Sequence, residues 1–310
     1  MLEQALLAFV VPHIQAKDMY LYVFSDTVIL AAPDLSSLLD LSSRLFLQFM
    51  STLSLQRAEE LSDLILLRGA ISHGNVAEST VLVPSDRVSS VPLLDRSLAT
   101  AYELEGVRKG SRIFLDPKMS IDRLSTSLKT CIINWQSIPG RGRPQSSVHE
   151  FLWPALVYLQ DAQGLARLTI ETNKVWLRFL RSRDWSIPEY DKVLLDFDET
   201  LKLCIRSCSV ISDSASWVEA LMSLLPANSS SVTDVRFEWG VWFQIMKALQ
   251  EGIAHDSEFA LEVAAAIRRT IAILKQVNFW DTFLIELKMP DYESFRRRLI
   301  QDFKGEIGWV

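Results

Sequence analysis

Four histidines, three cysteines and a single acidic turn are the residues of this 310-residue chain whose types could do chemistry. His13, His73, His149 and His255 make neither an HExxH helix nor a cysteine-paired zinc pattern, so metal-assisted hydrolysis has no anchor in them. His73 stands in the run Ser72-His73-Gly74 and reads as a turn residue rather than a base. Cys204 and Cys208 are spaced to share one face of a helix. With no His or further Cys beside them, they read as buried thiols rather than metal ligands. P-loop, GxGxxG and GxSxG patterns do not occur, which removes the common phosphate cradle and nucleophile elbow. Asp26 follows Ser25 between two apolar runs and reads as a turn carboxylate that accepts backbone N–H bonds. Gly69 and Gly74 read as serving backbone geometry rather than cradling phosphate. Arg296, Arg297 and Arg298 read as a solvated helix face.

The elements around these residues follow from periodicity. Residues 2–14 are rich in Ala and Leu and predict a helix. Residues 19–24 and 27–31 are aromatic and β-branched and predict two strands, with Ser25-Asp26 as the hairpin turn. Pro33-Asp34 closes the hairpin and offers a helix cap. Leu38, Leu39, Leu45, Phe46, Phe49, Met50 and Leu53 then recur at helical spacing. Residues 64–67 predict a buried strand leading into Arg68-Gly69-Ala70-Ile71. Residues 79–97 carry Ser, Pro and Asp and predict a loop. A helix is expected over 98–105, ended near Gly106 or Gly110, with strands at 113–115 and 131–135. This alternation fits a ferredoxin-like α+β sheet with helices on one face.

Pro139, Gly140, Arg141, Gly142, Arg143 and Pro144 predict a linker or exposed loop over 139–147. Its arginines could contact phosphate; the simpler reading is solubility. Beyond it the pattern turns helical. Leu165, Leu168, Val175, Trp176 and Phe179 form one stripe, and Phe259, Val263, Ala266, Ile267, Ile271 and Leu274 another, after a cap at Asp256. Eight of the nine Trp lie at 153 or later, which fits rings anchoring a helical core better than a cofactor box. The expected organisation is an α+β domain over 1–138 and an all-α domain over 148–310.

Composition bounds the function classes. Hydrophobic residues at 49% and charged residues at 23% describe a globular chain rather than a disordered one. A net charge of −6 with both signs scattered argues against a nucleic-acid partner. Three cysteines make no disulfide framework and point to a reducing compartment. No basic n-region precedes an apolar core at the start, and residues 19–32 fall short of the roughly 20 apolar residues a membrane span needs. The expected location is the cytoplasm, with no membrane span.

Three segments, in order, resemble class III nucleotidyl cyclases. Residues 22–30, YVFSDTVIL, look like the hairpin whose turn presents a metal-binding Asp. Residues 68–76, RGAISHGNV, look like the family's R-x-G-I-x-x-G-x-V. Residues 98–105, LATAYELE, look like its helix V-N-x-A-x-R-L-E. The match covers about residues 1–135 and is similar in wording to bacterial proteins with cyclase-like domains. The resemblance implies a cyclase-type ferredoxin-like sheet, Asp26 as a metal ligand, and Ser25, Thr27, Arg68 and Gly74 as nucleotide contacts. It also implies Mg or Mn with a nucleoside triphosphate if that site survives.

The catalytic positions depart from the family pattern. The first metal-binding Asp belongs to an opening strand ahead of the first helix, and this chain is expected to begin inside that helix. The ribose-orienting Asn is matched by Ala99, the phosphate-stabilising Arg by Glu103, and the purine-selecting Lys by Tyr22. Metal, nucleophile positioning and transition-state charge would each be lost. The expected function is therefore a non-catalytic cyclase-like module acting as regulator, nucleotide sensor or scaffold. It would pair with itself or a cyclase-like partner through the N-terminal domain. One alternative is an active nucleotide cyclase, a phosphorus–oxygen lyase, whose first strand comes from a misassigned start or a partner chain. Another is a protein-binding helical module. The missing strand predicts that another segment fills its place or that the sheet is reordered.

Overall fold

A computed structural model describes residues 19–24, 27–50, 66–74, 76–79, 91–94, 96–135, 148–182, 188–208, 210–211 and 219–220. The chain divides into two compact units, one of Met1–Gln56 with Ile65–Val157, the other of Arg57–Leu64 with Tyr158–Val310. The boundary lies after Val157 rather than at the expected 139–147 linker, which is outside the described residues together with the helix expected at 2–14.

In the first unit, β1 (Tyr20–Phe24) and β2 (Thr27–Ala31) pair antiparallel from Tyr20 opposite Ala31 to Phe24 opposite Thr27. Helix α1 (Leu35–Gln48) follows. Asp34 caps it: its backbone is extended and its carboxylate accepts from the Ser37 N–H at 2.7 Å, satisfying one of the helix's orphan donors. Leu41, Leu45 and Phe49 bury the inner face of α1 with Met19, against Val28 and Leu30 of the hairpin.

A four-stranded sheet forms the centre of this unit. It contains β3 (Gly69–Ile71), β6 (Ile113–Leu115), β7 (Ile132–Trp135) and β8 (Val148–Phe151), in the order β3-β6-β8-β7. β3 and β6 run parallel, and β8 runs antiparallel to both β6 and β7. The second domain was expected to begin at 148, yet Val148–Phe151 is a strand between two members of this sheet. Half of its four residues are apolar and it pairs on both edges, while the expectation rested on the Pro/Gly-rich run just ahead of it.

Between β3 and β6 lie β4 (Val76–Ser79), β5 (Val91–Leu94) and helix α2 (Arg96–Glu105). β4 and β5 pair antiparallel, where a loop was expected over 79–97. Pro92 obscured that strand; on a two-stranded ribbon, whose outer edge needs no donor, proline is tolerated. Of the strand expected at 64–67, only residues 66–67 are described, and they precede β3, which begins at Gly69.

Helices cover both faces of the four-stranded sheet, not one as expected. Gly69 and Ile113 look toward α1: a Cβ placed on Gly69 would lie 3.3 Å from the Phe46 ring. Phe46 packs in a tilted contact with Trp153 of the short helix α4 (Trp153–Val157), centroids 5.9 Å apart. The alternate residues Phe114 and Val148, with Ala70, pack against Leu104 and Val107 at the end of α2. β6 is apolar and buried at every position, as a strand covered on both faces must be. Gly110, with φ of 91°, makes the turn from α2 into β6. The short helix α3 (Thr126–Thr130), capped by the Ser125 hydroxyl, leads into β7.

The second unit is described over α5 (Ala162–Ser182) and α6 (Pro188–Cys208), packed on each other. Leu165, Leu168 and Val175 of the expected stripe are buried; the side chains of Trp176 and Phe179 lie outside the described residues, as does the stripe at 259–274. Every residue from Thr200 to Cys208 is buried, so the second half of α6 is enclosed on all sides. Its polar side chains turn inward on their own helix: Thr200 and Ser207 hydroxyls donate to carbonyls four residues back, and Lys202 pairs with Glu199 at 2.9 Å.

Candidate functional site

The segments that resemble the cyclase pattern fall on formed elements. Tyr22 sits in β1 opposite Ile29, and Thr27 opens β2 with its side chain exposed. Ser25 and Asp26, the proposed turn and metal ligand, lie outside the described residues. Arg68 immediately precedes β3, and Gly74 is exposed three residues beyond it. Ala99 and Glu103 are exposed one turn apart on α2.

The structure joins Arg68 to α2. Its Nε lies 3.0 Å from Glu105 Oε1, with the two side chains 34% and 29% exposed. At the other end of β3, the Ser72 hydroxyl donates to the Ser97 carbonyl at 2.6 Å. Helix α2 is thus tied at its C-terminal end to the start of β3 and at its N-terminal end to the finish of β3. A cation that could meet phosphate is engaged with a carboxylate, in a pair about one-third exposed and of modest strength. Among the described strands, the β1–β2 hairpin forms its own two-stranded sheet, apart from the sheet that holds β3.

Two fully buried polar groups were not singled out from the sequence. Arg112 pairs with Glu150, at 1% and 0% exposure, and the Ser111 carbonyl accepts from the Trp153 indole at 2.7 Å. No motif marks them; Arg112 precedes an apolar strand and Glu150 interrupts one, a pattern that also describes many solvent-facing charges. Among the described residues, the buried His149 Nδ1 has no hydrogen-bond partner. Asn173 of α5 is fully buried, and among the described residues neither its side-chain oxygen nor its nitrogen has one.

The three cysteines are buried and free of disulfides. Burial pushes the Cys131 thiol up from 9.0 to about 11, which makes it a poor nucleophile. Cys208 donates its thiol hydrogen to the Ile205 carbonyl at 2.7 Å, so the pair at 204 and 208 is built into its helix. Burial also raises Tyr158, with Cys204 and Asp161 adding to the shift and Arg167 opposing it. Among the described residues, no group of three or more His, Cys, Asp or Glu is arranged to hold a metal, and no helix is long and apolar enough to cross a membrane. Comparison with protein families, with curated proteins and with solved structures finds no match.

Proposed function

We propose that this chain is a non-catalytic, cyclase-like regulatory module with a ferredoxin-like N-terminal part, followed by a helical part. One observation carries the reading. Helix α2 is formed and tied at both ends to β3, and at the positions matching the ribose-orienting and phosphate-stabilising residues it displays Ala99 and Glu103 to solvent. A methyl group cannot orient a hydroxyl, and a carboxylate repels a phosphate that is gaining charge. The remaining cation of the motif, Arg68, is already matched by Glu105. Together these leave the fold's binding surfaces as its working parts.

The test is calorimetry of the intact chain against ATP, GTP, UTP and CTP with Mg or Mn. The expected results are no cyclic product with any of them, and either weak binding abolished by Asp26→Ala, for a sensor, or none, for a scaffold. Turnover to a cyclic nucleotide by the purified chain would overturn the reading and favour an active cyclase.

A further inference from the structure

Among the described residues three large apolar side chains are exposed, and two of them, Leu98 and Tyr102, at 39% and 79%, sit one turn apart on α2. Their helix is amphipathic. Leu104 is buried toward the sheet, while Arg96, Leu98, Ala99, Tyr102, Glu103 and, just beyond the helix, Gly106 are exposed. Arg96 and Glu103 lie two turns apart in nearly the same line along the axis, about 10 Å by helical rise. Neither side chain has an ion pair among the described residues, in contrast to Arg68, Arg112 and Lys202, which all do. A basic end, a small residue at the middle and an acidic end therefore mark one exposed helical face.

We propose that this face is the contact through which two copies of the chain pair, α2 against α2, antiparallel about a two-fold axis near Ala99. The charge pattern carries the choice of occupant. In an antiparallel pair the Arg96 of each copy meets the Glu103 of the other, so both charges are matched twice by one symmetric contact. That is the self-complementarity an isologous interface requires. In the parallel arrangement like charges would meet. Ala99 at the crossing lets the helix backbones approach, and Tyr102 of one copy covers Leu98 of the other, removing both from water. The contact is small. Two helix faces of this length fall below the roughly 800 Å² per partner of a standard stable interface, so the pairing is weak and reversible. It rests on the reading of a non-catalytic pairing module, and gives the carboxylate at Glu103 a task in place of the lost catalytic one.

The experiment is sedimentation equilibrium on the intact chain from about 10 µM to about 1 mM, a range that reports dissociation constants of that order. The wild type shifts from monomer toward dimer across the range. Arg96→Glu and Glu103→Arg each weaken the pairing at least about tenfold, because every dimer contains two reversed contacts. Tyr102→Ala weakens it too, with far-ultraviolet circular dichroism unchanged. Mixed in equal amounts, the two charge-reversed chains recover the wild-type association, since each now carries the complement of the other. A wild type that stays monomeric overturns the proposal. So does a dimer that neither reversal changes, or a mixture that fails to recover. A dimer indifferent to these substitutions refutes only this surface; the nucleotide titration and product assay judge the regulatory reading separately.

Discussion

Arg112 and Glu150 form an ion pair sealed from solvent on both sides, the first residue just ahead of β6 and the second in β8. Beside it the Trp153 indole is held by the Ser111 carbonyl, so the sheet's centre is bound to α4 through polar contacts within an apolar setting. Taking one charge away leaves the other buried without its ion-pair partner. Glu150→Gln or Arg112→Met is expected to cost about 3–5 kcal/mol in urea denaturation, and Arg112→Met with Glu150→Leu to cost less than either alone. Additive losses in that double-mutant cycle would show the two side chains to be energetically independent.

The ties between α2 and β3 differ in kind. Ser72→Ala removes a part-buried hydrogen bond and is expected to cost about 1 kcal/mol. Glu105→Gln breaks an ion pair about one-third exposed, and its effect stays within about 1 kcal/mol and shrinks further in high salt. Chemical denaturation at two ionic strengths separates them: only the Glu105 effect responds to salt.

Gly69 leaves room for one ring. With the Phe46 edge 3.3 Å from where a Cβ would sit, Gly69→Ala is expected to destabilise by about 1–3 kcal/mol through overpacking. Combining it with Phe46→Leu should recover part of the loss, seen as a midpoint higher than the sum of the single changes predicts. Strictly additive losses would place the strain elsewhere.

Cys131 gives the first unit an alkaline limit. Its thiol titrates near 9.0 when unfolded and about 11 when folded, because burial disfavours the thiolate. The folded state thus binds its proton more tightly. Stability is fully present below pH 9 and falls as pH rises through about 11. Cys131→Ala is expected to flatten this part of the first unit's denaturation profile. An unchanged slope in the variant would assign the alkaline loss to other groups.

Where side-chain pattern and local chemistry agree, the sequence was a good guide. The hairpin strands, the Asp34 cap, the helix ending at Glu105 and the strand at 113–115 all follow from alternation or capping within a few residues. What was not legible is partnership at a distance. Val148–Phe151 has no turn or period that ties it to Ile113, yet the two strands pair. Val91–Leu94 reads as a loop because of Pro92, and becomes a strand because Val76–Ser79 lies opposite. The same holds for the candidate site. The substituted positions Ala99 and Glu103 could be read directly, whereas the pairing of Arg68 with Glu105 depends on how α2 crosses β3. Asp26, on which the metal reading turns, lies outside the described residues.

One of the two inner strands of the four-stranded sheet, β8, is also the last of the four to leave the ribosome. β6 and β7 emerge while the slot between them is still empty, each with an edge of unsatisfied backbone groups facing the vacant position. Only once Val148–Phe151 clears the exit tunnel can it fill that slot, pairing with β6 and β7 and bringing Glu150 to Arg112. A nascent chain paused short of that point holds the sheet open, and that interval is when a chaperone or an intruding edge from another chain has its opportunity. A single tetrapeptide sets the moment at which this sheet becomes safe from its neighbours.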